Sequence, residues 1–305
     1  MKIMFMGTPD FARTNLQKLV ESGFDVCAVV SQPDKPKGRK MELVPTPVKE
    51  YALSQNIDVY QPETLKDGCF QDVLEKYNPD VIIAVAYGKL LPKYILDYPE
   101  LGCINVHGSL LPKYRGSAPV QWAVINGDKQ TGVTTMFMNE GMDTGDILLQ
   151  QTVDIDYNET SASLMEKMAE IGADLLVKTL NELGNIVPVK QDEASATHAP
   201  MLTKDMGKID WASTAEEIRH KIYGLNPWPV TFFETKKGTV KVFGAEVINE
   251  DSKYNPGQVV KSDNSLVVQT GNGMLSITEL QLQGKKRMNV QDFLRGCKFE
   301  EGETF

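Results

Sequence analysis

Short apolar runs alternate with segments of helical period through the first half of the chain. The runs at 2–6, 25–30, 81–86, 103–106 and 133–138 have the length and composition of buried strands. Between and after them, the spacing predicts helices over 11–22, 119–125 and 161–183. This alternation predicts an α/β unit, a Rossmann-like and mostly parallel sheet covered by helices. Ligands of such a sheet bind in the crevice outside the carboxyl ends of its strands, so residues just after each run are the first candidates for chemistry.

The pattern changes near residue 186. Pro188, Pro200 and the polar run Gln191-Asp192-Glu193-Ala194-Ser195 read as a connection between domains. The expected division is a catalytic domain over 1–188, a linker over 189–206 and a second domain over 207–305. In the last segment one helix at about 214–223 gives way to short alternating runs at 239–243, 257–261, 266–269 and 275–281. Glycine and asparagine punctuate these runs, which predicts a small, OB-like β-barrel.

Composition narrows the class. Of 305 residues, 41% are hydrophobic and 24% charged, near the average for globular proteins and unlike a disordered or membrane-spanning chain. No apolar run approaches the roughly 20 residues of a spanning helix. The start, Met1 to Gly7, lacks a cleavage pattern and reads as a first strand, not a signal peptide. Cys27, Cys69, Cys103 and Cys297 form no C-x-x-C pair, so neither zinc nor a disulfide framework is indicated, and a reducing cytoplasm is the expected home. His198 and His220 lack ligand spacing, and no metal is expected.

A net charge of -9 argues against a general nucleic-acid binder. The charge is unevenly distributed: residues 1–206 hold 19 Lys and Arg against 28 Asp and Glu, whereas residues 207–305 hold 13 against 13. The second part is thus relatively enriched in positive charge, although a balanced surface also suits an ordinary solvated domain.

Candidate chemistry collects after two of the runs. Asn105 and His107 are two residues apart on a strand, so they face the same side. An amide donor beside an imidazole can hold a developing oxyanion while the ring manages a proton. A hydrogen-bonded structural pair fits the dyad alone equally well. The loop Glu140-Gly141-Met142-Asp143-Thr144-Gly145-Asp146 follows the neighbouring run and can present the Asp143 carboxylate to the crevice; alone it is only a turn. Gly7-Thr8-Pro9-Asp10 is neither a dinucleotide fingerprint nor a P-loop, and no G-x-S-x-G elbow surrounds Ser109, so an acyl-enzyme is not expected.

Asn105-x-His107, Ser109-Leu110-Leu111-Pro112-Lys113-Tyr114-Arg115-Gly116, Gly127-Asp128, Thr131-Gly132-Val133-Thr134 and Asp143-x-Gly145 together resemble the folate-dependent formyltransferases. The resemblance implies formyltransferase topology, a 10-formyltetrahydrofolate cosubstrate and Asn105, His107 and Asp143 as the catalytic set. It implies that Ser109, Leu110, Leu111 and Pro112 line the folate site, with Lys89, Leu90 and Leu91 in its other wall. Without the resemblance, Leu90 and Leu91 are simply apolar residues at the start of a helix.

Met6-Gly7-Thr8-Pro9-Asp10-Phe11-Ala12, Ile209-Asp210-Trp211 and Asn226-Pro227-Trp228-Pro229 extend the likeness over nearly the whole chain, toward the branch whose acceptor is methionine esterified to initiator tRNA. That branch carries an inserted loop that contacts the acceptor stem, similar to Gln32–Lys40 here, continuing to Lys49. Lys35, Lys37, Arg39 and Lys40 are its tRNA-binding candidates. Read from its residues, this loop has four positive charges in six residues, with Pro33 and Pro36 discouraging helix; it can be an arm that orders on phosphate contact. On charge alone an ordinary solvated loop is the better reading. Trp228, between two prolines, reads as a structural pin.

The rival within the family is a sugar-nucleotide formyltransferase, which the basic loop separates. A formyltetrahydrofolate hydrolase is disfavoured because no regulatory domain precedes the first strand. A dinucleotide-dependent dehydrogenase fits the sheet but lacks the glycine fingerprint. A non-enzymatic RNA-binding module fits the loop but not the cluster of Asn105, His107 and Asp143.

Overall fold

The apolar runs become strands β1 (Lys2–Gly7) and β2 (Asp25–Val30), with helix α1 (Asp10–Glu21) between them. A computed structural model describes residues 1–37 and 42–305, with Lys37 described in its backbone only. Arg39, Lys40 and the Lys37 side chain therefore lie outside the described residues. There follow β3 (Lys35–Lys37), β4 (Glu42–Val44), α2 (Pro47–Ser54), β5 (Val59–Tyr60), α3 (Gln71–Tyr77), β6 (Val81–Val85), α4 (Lys93–Leu96), β7 (Cys103–His107) and β8 (Arg115–Gly116). Next come α5 (Pro119–Ile125), β9 (Gln130–Phe137), β10 (Ile147–Asp154), α6 (Ser161–Glu182), β11 (His198–Ala199) and α7 (Ala215–Gly224). The last elements are β12 (Thr231–Thr235), β13 (Gly238–Ile248), β14 (Val259–Ser262), β15 (Leu266–Gln269), β16 (Met274–Leu282), β17 (Met288–Asn289) and α8 (Val290–Gly296).

Seven strands form one sheet in the order β10-β9-β7-β6-β1-β2-β5. β1 is parallel to β2 and β6, β6 to β7 and β2 to β5, while β9 runs antiparallel to β7. The sheet is Rossmann-like and mostly parallel, with one reversal beside β7. Met4, Phe5, Ile82, Ile83 and Ile104 have no exposed surface, because strands covered on both faces are apolar throughout rather than alternating. Helix α1 buries Ala12, Leu16 and Leu19, the stripe that a 3.6-residue period lays on one side. Strand β10 escaped the sequence reading because it lies at the sheet edge and alternates poorly, with Gln150, Gln151 and Thr152 exposed or partly so.

The chain divides into two units: one of residues 1–119, 131–154 and 165–199, the other of residues 120–130, 155–164 and 200–305. The expected linker, 189–206, differs from an open connection. Its first part belongs to the sheet unit, where Val189 exchanges both backbone hydrogen bonds with Ile147 and β11 pairs in parallel with β8. The second unit also takes two segments, 120–130 and 155–164, that lie between parts of the first unit along the chain. Arg219 on α7, 1% exposed, donates to Asn158 Oδ1 at 2.8 Å and to the Tyr157 carbonyl, and its guanidinium lies 3.4 Å from the Tyr157 ring centroid.

In the second unit an antiparallel sheet, β12-β13-β16-β15-β14 with β17 added to β16, curls into a small half-barrel. Bulges around Gly244 in β13 bend the strand, and its packing side chains, Val240, Val242 and Ala245, are fully buried. Phe233, Leu266, Leu275, Ile277, Leu280 and Phe293 close the core. Trp228 is 52% exposed, so only part of its surface can pack against the turn. Among the described residues no helix is long and apolar enough to cross a membrane, and no group of His, Cys, Asp or Glu is placed to hold a metal.

Candidate active site

Strand β7 ends where β6 also ends, so the turns after both open onto one side of the sheet. Period-2 geometry puts Asn105 and His107 on one face of β7, opposite Met136 and Thr134 of β9. Both approach one oxygen. Asn105 Nδ2 lies 3.4 Å from Asp143 Oδ1, and His107 Nδ1 lies 3.6 Å from the same atom. The second carboxylate oxygen accepts a 2.8 Å bond from the Gly116 amide. His107 is 6% exposed, and Asp143 retains 16% side-chain exposure, so the pair is shielded from water with one side open.

The other imidazole nitrogen is also engaged, with His107 Nε2 2.9 Å from the Tyr114 carbonyl oxygen. Asp143 adopts a left-handed backbone (φ 54°), which Asp tolerates better than most residues and which aims its side chain back toward β7. Gly145 is required two residues on, because any Cβ there would overlap the Phe137 carbonyl oxygen.

The candidate folate residues separate into several environments. Ser109 is fully buried and donates to the Lys113 carbonyl at 2.6 Å, so its hydroxyl closes a turn and is turned away from solvent. Thr134 Oγ1 donates to Ser109 O (2.7 Å) and accepts from the Leu111 amide (3.2 Å), while Gln150 Nε2 donates to Leu111 O (2.9 Å). These bonds fix the 109–112 turn beside His107. Leu111 is buried and Leu110 and Pro112 are partly exposed. Leu90 is 64% exposed, Leu91 is 6% exposed, and both precede α4, which begins only at Lys93 after Pro92. Lys89 donates to the Pro62 and Glu63 carbonyls at 3.0 and 2.7 Å. Of the acceptor-loop candidates, Lys35 is exposed on β3.

Several residues that hold the cluster together had no role in the sequence reading. Arg115, 3% exposed, pairs with both oxygens of Glu193 at 2.8 Å and donates through Nε to Gln191 Oε1 at 3.0 Å. The Arg115 guanidinium holds the Glu193 carboxyl below the usual carboxylate range. Gln191 in turn donates to the Asp143 and Gly145 carbonyls, each at 2.8 Å. Sequence alone offered only the presence of an arginine within the motif, which would need a carboxylate from elsewhere if buried. Cys103, on the same strand as the dyad, packs in the core, where burial pushes its thiol up to about 12. It is therefore no nucleophile at neutral pH.

Residues 1–180 match the formyl transferase family, and residues 201–298 match the formyl transferase C-terminal domain. A methionyl-tRNA formyltransferase of Agathobacter rectalis is 50% identical over 308 residues, spanning 100% of this chain and 99% of that protein. The chain belongs to the methionyl-tRNA formyltransferases of the formyl transferase family. A second methionyl-tRNA formyltransferase, of Caldanaerobacter subterraneus subsp. tengcongensis, is 48% identical over 307 residues and covers 99% of each chain. The solved structure of WlaRD, a sugar 3N-formyl transferase with dTDP and 5-N-formyl-THF present, superimposes with a TM-score of 0.68 at 19% identity, covering 94% of this chain and 99% of that one. That likeness is one of fold.

Proposed function

We propose that this protein transfers the formyl group of 10-formyltetrahydrofolate to the amino group of methionyl initiator tRNA, giving formylmethionyl-tRNA for translation initiation. The observation that carries the chemistry is the convergence of Asn105 and His107 on Asp143 Oδ1 at the open end of the sheet. The acceptor rests on relatives near 50% identity along the full chain that bear the methionyl-tRNA name.

In this reading the neutral amine attacks the formyl carbon, a C–N bond forms, and the carbonyl oxygen becomes an oxyanion. Asn105 Nδ2 donates a hydrogen bond to that oxygen, which stabilises charge only as it develops. A carbonyl can only accept, so the Tyr114 oxygen keeps a proton on His107 Nε2 and leaves Nδ1 as the nitrogen that exchanges protons. The proton lost by the amine passes to the Nδ1 side, where Asp143 stabilises the resulting imidazolium. Collapse of the intermediate breaks the bond to the folate nitrogen, which leaves with a proton as tetrahydrofolate. No side chain forms a covalent bond, in keeping with the buried Ser109 hydroxyl.

Exposed Leu90 and partly exposed Leu110, in the turns after adjacent strands, supply apolar surface suited to the flat rings of the folate. The basic residues Lys35, Lys37, Arg39 and Lys40 contact the phosphates of the acceptor stem, and the second unit adds backbone contacts to the tRNA. A tRNA substrate also assigns the protein to the cytoplasm. The test is incubation with 10-formyltetrahydrofolate and charged initiator tRNA, scored for formylmethionine after hydrolysis of the ester. Formylation of an amino-sugar nucleotide with none of methionyl-tRNA would overturn the acceptor assignment.

A further inference from the structure

The segment from Val189 to Ala199 straps together the two loops that build the surroundings of His107. On one side Val189 exchanges backbone bonds with Ile147 at 2.8 and 2.9 Å. On the other, Thr197 accepts from the Arg115 amide through its carbonyl (2.8 Å) and from the Tyr114 amide through Oγ1 (2.8 Å). Tyr114 and Gly116 contact His107 and Asp143 respectively, so this strap touches the backbone on both sides of the candidate catalytic pair.

One side chain in the strap bridges the two loops directly. Gln191 Nε2 donates both protons, to the Asp143 and Gly145 carbonyls, and Gln191 Oε1 accepts from Arg115 Nε. Its three bonds use both donors and the acceptor of the amide, and the bidentate pair from Arg115 to Glu193 fixes the partner it leans on. The Asp143 backbone lies in the left-handed region, which persists only where surrounding contacts over-determine it. Gln191 supplies two of those contacts, on the Asp143 carbonyl itself and on the carbonyl two residues later.

We propose that Gln191 is a positioning residue that holds the Asp143 carboxylate against His107. This rests on the catalytic assignment of Asp143 made above. Gln191 touches neither His107 nor the substrate in this role; it acts through the loop backbone. Loss of its donors lets the 143–145 turn relax, and the 3.6 Å approach of Asp143 Oδ1 to His107 Nδ1 opens.

The experiment is a double-mutant cycle on kcat for methionyl-tRNA formylation, with Gln191→Ala, Asp143→Asn and the pair, at saturating donor and acceptor. Gln191→Ala is expected to lower kcat about 10- to 100-fold with KM for both substrates within about threefold of wild type, since misplacement of a reacting group by about 1 Å costs rate on this scale. In the Asp143→Asn background the same substitution is expected to have no further effect, because residues acting as one unit are non-additive. Gln191→Glu keeps shape and the Arg115 contact but sets an acceptor against two carbonyls, so it must also lose kcat; it serves if Gln191→Ala does not fold. An equal fold-loss from Gln191→Ala in both backgrounds, or unchanged kcat in Gln191→Glu, overturns the proposal while leaving Asp143 as assigned. Near wild-type kcat in Asp143→Asn alone overturns the catalytic assignment instead.

Discussion

His107 Nε2 lies 2.9 Å from the carbonyl oxygen of Tyr114, which fixes the tautomer of the imidazole before any substrate binds. With the proton held on Nε2, the ring meets the Asp143 carboxylate through Nδ1. In the proposed mechanism the backbone of one loop decides which nitrogen does acid-base work, and the side chain of another completes it.

Asp143→Asn preserves the shape of the side chain and its tolerance of a left-handed backbone while removing the charge that faces Nδ1. It should lower kcat by about 10²-fold or more, as loss of a positioned acid-base partner does, with little change in thermal midpoint. Steady-state formylation alongside a melting curve checks this. Turnover within a factor of about two of wild type would remove Asp143 from the mechanism.

Gly145→Ala places a methyl group on the Phe137 carbonyl oxygen, so the backbone of the 143–145 turn or of Phe137 must shift. The expected cost is about 1–3 kcal/mol in urea unfolding, the range for forcing extra volume into a packed site. A fall in kcat should accompany it. Gly184, with nothing within 4 Å of an added Cβ, is the control, and Gly184→Ala should stay within about 0.5 kcal/mol of wild type. Equal stability for the two variants would show that the turn has room to spare.

His220 packs against Gly127 in the second unit, and burial lowers its pKa from the ordinary histidine value, outweighing the opposing pull of Glu216. A base whose folded pKa is depressed is protonated first in the unfolded chain. As pH falls below about 6.5, the unfolded state gains protons and stability drops until the folded value is passed. The difference in thermal midpoint between pH 7.5 and 5.5 should therefore shrink in His220→Gln. A difference identical to wild type would mean that His220 does not contribute to acid sensitivity.

The proposed acceptor assigns to Arg39 the distinction between a tRNA and a sugar nucleotide. Arginine grips phosphate or a base edge with a planar fork, whereas lysine offers a point charge. Arg39→Ala should lower kcat/KM for methionyl-tRNA about tenfold or more, and Arg39→Lys should recover it in part. Donor affinity should survive both substitutions. Formylation assays at saturating donor read this directly, and an unchanged kcat/KM in Arg39→Ala would return the loop to the status of solvated surface.

The chain by itself determined what neighbours in sequence can encode. Apolar runs without alternation marked β1 and β6 as covered on both faces, and a spacing of two placed Asn105 and His107 on one side of β7. The curled antiparallel sheet followed from short alternating runs in the same way. Tertiary structure decided the partners. Asp143 reaches Asn105 across 38 residues, and Glu193 reaches Arg115 across 78, from a polar run whose composition is that of a linker. Residues 120–130 and 155–164 likewise join the second unit although they sit among strands of the first. Periodicity is set by the burial of each element against whatever covers it, so it can be read locally. Which carboxylate meets a buried guanidinium, or which carbonyl meets an imidazole, depends on the path of loops that return to the same strand ends, and no local pattern specifies that path.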